Sequence, residues 1–375
     1  MKKILYVTSF DANSRKAWSG ICFSIYQELK KYYDVDNLVV ASPVKSSISK
    51  IINMADRIIT GKRDLYSHSL KRAEKSSKLL EEALRIKKYD AVFAIDSSCM
   101  AYTDTSVPIV YYSDGVVSSM FDYYWFNVSK KAKEEANFVQ KNALLKSTAV
   151  ILTSKWAKDA AVRDYGIKAD KIRVIRSGAN IENDGLKTIS DHQGVINLLF
   201  CGVDWKRKGG DYAVETLRYL TKIDKSRKYI LHMYGCNPPY EIKDKNIKLY
   251  GFLNRDIPAQ KKIFEELWAK ADFFLSPLKA DCAAVSFCEA CAHAVPSITY
   301  DTGGVADHII NDYNGFRLPM GSGPEEFAKK IIELSNDNET LRELKKNARQ
   351  YYETELNWAV AGKKIYDVIE ESISN

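Results

Sequence analysis

The chain has 375 residues, 46% hydrophobic and 28% charged, too long for one small domain and apolar enough for two cores of about 180 residues each. No run of about 18 apolar residues occurs, which excludes a membrane-spanning helix. The seven cysteines are scattered instead of forming a disulfide framework, which suits a reducing cytoplasm. The formal charge of +8 is uneven: residues 1–180 carry 30 Lys and Arg against 19 Asp and Glu, and the remainder carries 26 against 29.

The opening Met-Lys-Lys-Ile-Leu-Tyr-Val-Thr-Ser-Phe has a short apolar part, no small-residue cleavage pattern, and Asp11, Asn13 and Arg15 behind it. It reads as a buried first strand (Ile4–Thr8), not as a signal peptide. A loop, Arg15-Lys-Ala-Trp18-Ser19-Gly20, follows. Asp34-Val35-Asp36 is a D-x-D and reads as a polar turn before a strand at Asn37–Ala41. Residues 45–88 hold 12 basic and 5 acidic side chains, a balance suited to an anionic membrane surface or a phosphorylated acceptor. No nucleic-acid motif accompanies that charge, so a nucleic-acid partner is not expected. Strand-like runs recur at Ala91–Ile95, Ile109–Tyr112, Ala149–Leu152 and Lys171–Ile175 between helical patterns, which implies a parallel sheet. Asp114 ends one of them, in Tyr111-Tyr112-Ser113-Asp114-Gly115. The polar stretch from Asn180 to Gln193 reads as a linker.

The alternation then restarts, with strands at Ile196–Cys201, Tyr229–Tyr234, Ile247–Tyr250, Ala271–Leu275 and Ser297–Tyr300. Helices are expected over 324–335, 339–356 and 358–373. Gly202-Val-Asp-Trp-Lys-Arg207-Lys208-Gly209-Gly210 lies between a strand and an amphipathic helix. Gly202 permits a tight turn, Arg207 and Lys208 are fixed cations, and the paired glycines bring backbone close to a helix start. Phosphate binding follows on physical grounds, although G-x4-G-K-[ST] is absent. Further on, Asp281 stands at the carboxyl end of a strand and Glu289 lies one to two turns into the next helix. Ligands of open α/β sheets bind at that edge. The helix-start amides of Ala283, Ala284 and Val285 suit a diphosphate there. Cys288-x-x-Cys291, with Cys282 and His293 nearby, lacks a second ligand pair at zinc-like spacing and reads as small core residues, so no metal site is expected. His68, His192, His232, His293 and His308 fall in no Ser-His-Asp or Cys-His order.

These segments, in order from residue 15 to 318, resemble the retaining family 4 glycosyltransferases, glycosyl transferases group 1. Asp281 and Glu289 stand as D-x7-E for that family's E-x7-E, followed by the Gly303-Gly304 turn. Ser154-x-Trp156, Tyr165-Gly166-Ile167 and Arg176-Ser177-Gly178 resemble the end of its first domain, and Tyr250-Gly251-Phe252-Leu253 resembles its nucleobase turn. The resemblance implies the α/β GT-B fold: two Rossmann-like domains facing across a cleft, with residues 1–180 for the acceptor and 181–356 for the donor. Residues 357–375 would form a helix crossing back to the first domain.

It also implies an enzyme without a metal or cofactor that takes a nucleotide-diphosphate sugar as donor substrate. A hexose or N-acetylhexosamine would pass to a glycan or lipid-linked acceptor of the surface-polysaccharide type, in the cytoplasm or peripherally on the inner face of the membrane. By the same resemblance Lys208 and Arg207 balance the leaving diphosphate, and Gly20 lies beneath the phosphates. Glu289 holds the ribose diol and Asp281 a donor-sugar hydroxyl, Asp114 replaces a family His at the donor sugar, and the backbone of Gly251 and Phe252 meets the base.

Two departures stand out. Ala284 and Ala294 occupy positions that are usually glycine, where a methyl group would crowd the donor or shift the loop. Asp281 is one methylene shorter than Glu, which moves its carboxylate by about 1.5 Å. They motivate an alternative, a catalytically silent subunit that binds glycan or a partner enzyme. A metal-dependent transferase using Asp34-Val35-Asp36 is a further alternative.

Overall fold

The computed structural model describes residues 1–40, 61–181 and 194–374. The chain divides into two compact units, Met1–Arg176 with Trp358–Asn375, and Ser177–Asn357.

The first unit is built on a parallel sheet of six strands: β1 (Lys3–Thr8), β2 (Asp34–Val39), β3 (Ala91–Ala94), β4 (Ile109–Ser113), β5 (Ala149–Leu152) and β6 (Ile172–Val174). Their order is β2-β1-β3-β4-β5-β6, so the winding reverses between β1 and β3. Apolar runs such as Ala-Val-Phe-Ala in β3 are buried throughout, as both faces of a parallel sheet must be. The connecting helices are α1 (Ile21–Tyr32), α2 (Leu70–Ile86), α3 (Val117–Met120), α4 (Lys130–Lys146) and α5 (Lys155–Tyr165). Ser69, Ser129 and Ser154 open α2, α4 and α5, each hydroxyl accepting from the amide three residues on, which satisfies an orphan helix donor.

The second unit has β7 (Val195–Cys201), β8 (Lys228–Tyr234), β9 (Ile247–Leu249), β10 (Phe273–Ser276), β11 (Ser297–Tyr300) and β12 (Gly315–Leu318). Its helices are α6 (Trp205–Lys208), α7 (Gly210–Ile223), α8 (Pro258–Lys270), α9 (Val285–Ala292), α10 (Pro324–Asn336) and α11 (Asn338–Thr354). The order β12-β11-β10-β7-β8-β9 is the Rossmann arrangement, reversing between β7 and β10. The last helix, α12 (Trp358–Ser374), packs in the first unit. Lys2 pairs with Glu370 at 2.5 Å and the Tyr33 hydroxyl donates to Glu370 at 2.9 Å. Gly362 lets α12 lie on α1, since a Cβ there would stand 2.8 Å from Glu28.

Three expectations change. Residues 177–180 pack in the second unit instead of closing the first: Ser177 O accepts from Cys288 Sγ (3.3 Å), and Ala179 N donates to Leu356 O (2.9 Å). Asp34-Val35-Asp36 is the start of edge strand β2 and not a turn; Asp34 pairs with Lys3 at 2.5 Å, and Asp36 with Lys87 and the Tyr89 hydroxyl. Both acids of the D-x-D are therefore engaged, Asp34 by a residue of β1 and Asp36 by the loop that leads into β3. Strand β12 was not expected, because Gly-Phe-Arg-Leu is too short to show a period. Residues 45–60 of the basic segment, and the linker from 182 to 193 with His192, lie outside the described residues.

Candidate functional site

The second unit places its charged residues where the sheet order reverses. After β7, Asp204 caps α6 by accepting from Arg207 N (3.0 Å), and this single turn delivers Arg207 and Lys208 side by side. Gly202 serves close packing here, without a left-handed backbone angle, and Gly209 both packs closely and ends α6 at φ +77°. A Cβ on Gly202 would lie 2.6 Å from Lys208 Cγ, and one on Gly209 would lie 2.0 Å from Pro277 O. The lysine stem thus runs over bare backbone, and its turn is pressed onto the end of β10. The start of α7 is less suited to an anion than expected, because it carries Asp211. That carboxylate accepts from Trp205 Nε1 (2.8 Å) and the Tyr240 hydroxyl (2.6 Å).

Lys208 Nζ lies 2.6 Å from Asp281 Oδ2, and Arg207 Nη1 lies 3.3 Å from the same oxygen while donating to Ala280 O at 2.9 Å. Asp281 Oδ1 accepts from Ala284 N at 2.8 Å. Burial alone would raise the Asp281 pKa, but Lys208, Arg207 and the Ala284 amide outweigh it and hold the group at about 2. The Ala284 amide expected to face a diphosphate is therefore engaged by Asp281, and the carboxylate expected at a sugar hydroxyl rests on the two cations. The peptide of Asp281 is tied to the Gly303-Gly304 turn, with Gly304 N donating to Asp281 O at 3.1 Å.

Glu289, buried in α9, also has an internal partner: Arg255 Nη1 lies 2.9 Å from its Oε1 and 2.6 Å from Asn180 O. Burial raises the Glu289 pKa, with Arg255 and Lys208 opposing. Sequence reading missed Arg255; the only signal was a cation just beyond the Tyr250-Gly251-Phe252 turn. In that turn Gly251, at φ +64°, accepts from Gly235 N at 2.8 Å. Phe252 is 68% exposed at the end of β9 and Val203 70% exposed at the end of β7, two apolar side chains offered to solvent on the carboxyl edge of one sheet.

The alanines at the usual glycine positions keep a glycine-like backbone. Ala284 has φ +21° and Ala294 φ +54°, a region that L-residues other than glycine avoid. The two alanines therefore hold their positions under backbone strain. Ala283 and Ala284 are buried and Val285 opens α9. Cys288 donates to Ser177 O and Cys291 Sγ accepts from Asn314 Nδ2 (3.4 Å), both fully buried, as core residues would be.

In the first unit Asp114 and the Gly20 loop are joined. Trp18 Nε1 donates to Asp114 Oδ2 at 2.9 Å, and its ring meets Tyr112 edge-on at 6.0 Å. Trp18, Ser19 and Gly20 stand at φ +46°, +53° and +83°, a left-handed turn leading into α1. Asp114 thus anchors a strained loop. At the reversal between β1 and β3, Arg72 pairs with Asp96 at 2.5 Å, both buried, and donates to Ser9 Oγ (2.7 Å) and Ser67 O. Asp96 Oδ1 accepts from Ser98 N at 2.9 Å. Arg72 belongs to the basic 45–88 stretch, yet it is an interior cation and not a surface one.

Two Rossmann-type units, one with a pair of cations at its strand reversal, define the class of GT-B glycosyltransferase folds. The family pattern described as glycosyl transferases group 1 matches residues 196–337, and that described as glycosyltransferase family 4 matches residues 55–183. The chain belongs to the family 4 glycosyltransferases. It is similar to an uncharacterized glycosyltransferase of Methanocaldococcus jannaschii, 27% identical over 62% of each chain, and so spans about six-tenths of that relative's length. In fold it is similar to a Rickettsia africae glycosyltransferase, with TM-score 0.68, 18% identity, and coverage of 100% of this chain and 99% of the other. It is also similar to Anabaena HepE in complex with UDP and glucose, with TM-score 0.63, 14% identity, and coverage of 99% and 100%.

Proposed function

We propose that the chain is a retaining glycosyltransferase that moves a hexose or N-acetylhexosamine from a nucleotide-diphosphate sugar to a hydroxyl of a glycan or lipid-linked glycan of the surface-polysaccharide type. The observation that carries this reading is the pair of adjacent cations at the second reversal point: Lys208 and Arg207 both reach the buried carboxylate of Asp281. As a glycosidic bond to a diphosphate breaks, negative charge grows on the leaving oxygen. Fixed cations in a largely buried site stabilise that charge without reorganising. They also make a divalent ion unnecessary, so turnover should survive EDTA; loss on chelation with recovery on Mn²⁺ would contradict the reading.

Exposed Phe252 and Val203 offer apolar surface to a nucleobase, Glu289 is assigned the ribose diol, and Asp114 a donor-sugar hydroxyl. Asp281 is assigned a second sugar hydroxyl once a diphosphate has taken its cations. With no dedicated base assigned, the leaving phosphate oxygen takes the acceptor proton on the same face, which retains configuration. HepE, whose structure holds UDP and glucose, makes UDP-sugars the first donors to test.

No described helix is long and apolar enough to cross a membrane. The exposed Lys71, Lys75, Lys78, Arg85 and Lys88 along and just after α2 support a peripheral, cytoplasmic-face location on anionic lipid. Co-sedimentation with anionic vesicles that fades with salt is expected, and equal binding to neutral vesicles contradicts it.

The reading as a whole is tested by a thermal-shift screen of UDP-, GDP- and ADP-sugars, since a ligand that binds only the native state raises its melting temperature. The screen is followed by assays of hydrolysis and transfer. A catalytically silent subunit would show no shift and no turnover with any donor.

A further inference from the structure

We infer that Asp281 is an internal anion that competes for the diphosphate position, so that a nucleotide must displace its carboxylate from Lys208 and Arg207. The inference rests on the nucleotide-sugar reading above.

Three donors converge on this one carboxylate: Lys208 Nζ at 2.6 Å, Arg207 Nη1 at 3.3 Å and the Ala284 amide at 2.8 Å. Two cations and a helix-start amide are the donor set a phosphate oxygen requires. The short side chain makes the arrangement possible. With a single methylene, one carboxylate caps the amide three residues ahead with Oδ1 and meets both cations with Oδ2. Such bonding to a nearby backbone amide in a turn is the habit of Asp, Asn and Ser, whose side chains are short. Asp281 is buried, so this competition takes place in a medium that screens it weakly. The carboxylate also stays ionised at physiological pH, because the cations hold its pKa near 2 against the effect of burial; acidity within that range does not release it.

The competition weakens every diphosphate that enters. It matters most for the product: a free nucleoside diphosphate carries more charge than the nucleotide sugar and would otherwise bind such a cation pair more tightly. An internal carboxylate that returns to Lys208 and Arg207 favours its departure.

The test is titration calorimetry of the full chain with UDP, GDP, ADP and inorganic pyrophosphate, for wild type, Asp281→Asn and Lys208→Ala. Pyrophosphate, and whichever nucleotide binds wild type, should bind Asp281→Asn about tenfold more tightly, about 1.4 kcal/mol, and Lys208→Ala more weakly. A role confined to holding the loop together cannot raise affinity. Equal or weaker binding to Asp281→Asn, with Lys208→Ala still impaired, overturns the inference and leaves the nucleotide reading standing. No nucleotide binding to any of the three proteins overturns the nucleotide reading itself. Asparagine keeps an acceptor for the Ala284 amide but leaves Lys208 without its counter-charge, so folding is checked by circular dichroism, with Asp281→Ser as a second capping variant. If neither folds alone, millimolar pyrophosphate must restore folding, because an external anion then takes the carboxylate's place; failure of that rescue also overturns the inference.

Discussion

In each unit the strand order reverses once, and at each reversal a carboxylate beyond the later of the two strands is paired with a cation. Asp96 follows β3 and holds Arg72, and Asp281 follows β10 and holds Lys208. Both acids also accept from a backbone amide, Ser98 N in one case and Ala284 N in the other. The surroundings differ. The two terminal nitrogens of Arg72 donate to Ser9, Ser67 and Asp96, one cation against one acid. At the second reversal Arg207 joins Lys208, so two cations share one acid. The first arrangement is a buried one-to-one pair and suits a structural clasp; the second sets two adjacent cations on one carboxylate and suits an anionic ligand. One topology thus supports two uses, and a second cation on the same carboxylate distinguishes them.

The comparison breaks most visibly through Arg72→Ala. Removing one partner of a buried pair leaves Asp96 uncompensated and should cost about 3–5 kcal/mol of stability, read as a fall in the urea unfolding midpoint. Nucleotide affinity of the protein that remains folded should be unchanged. A loss of affinity at constant stability would show that the first reversal also serves the ligand. Arg255→Ala is expected to be milder. It leaves the Glu289 carboxylate buried without its cation, at a cost of about 1–3 kcal/mol, and should raise the Glu289 pKa further, observable by NMR titration of the carboxyl carbon. An unchanged titration would mean that Arg255 serves Asn180 alone.

Acid unfolding sharpens the contrast. The folded pKa of Asp281, about 2, lies below the ordinary aspartate value of about 3.9. Its ion pairs therefore add stability that is fully present above about pH 4 and is lost as pH falls toward 2. Glu289 acts in the opposite sense: its raised pKa makes its burial cost stability above the ordinary glutamate value, and that cost fades as pH falls. The stability difference between wild type and Asp281→Asn should therefore shrink between pH 4 and 2; a constant difference would contradict the pairing. The smallest expected effect is that of Ser19→Gly. Serine at φ +53° is strained by about 1–2 kcal/mol, and glycine's looser unfolded chain offsets about 0.4–1 kcal/mol. A gain of up to about 1.6 kcal/mol should appear in thermal unfolding, and a loss would mean that the contacts of the serine side chain are worth more than the strain.

Much of this was legible in the sequence, for a physical reason. Alternating apolar runs and amphipathic stretches encode two parallel sheets locally, and Arg207-Lys208, Asp281 and Glu289 stand in short segments whose spacing carries their chemistry. What could not be read depends on sheet order, which joins residues far apart in the chain. Trp18 meets Asp114, Arg255 meets Glu289, and Arg72 leaves its basic stretch to meet Asp96. The D-x-D of β2 was misread for the same cause, because Lys3 and Lys87 reach it from elsewhere. The alanines at 284 and 294 are a different case. Sequence located the departure from glycine, but only the backbone angles show that the glycine conformation is kept.

The claim that the second reversal is the anion site, and the first is not, is tested most directly by calorimetric titration of Lys208→Ala and Arg72→Lys with the tightest-binding of UDP, GDP and ADP. Loss of a charge-assisted contact in a desolvated site costs about 1.5–3 kcal/mol. Lys208→Ala should therefore bind roughly ten- to a hundredfold more weakly than wild type, and Arg72→Lys should match wild type. Undiminished affinity in Lys208→Ala, or a comparable loss in Arg72→Lys, would contradict the account.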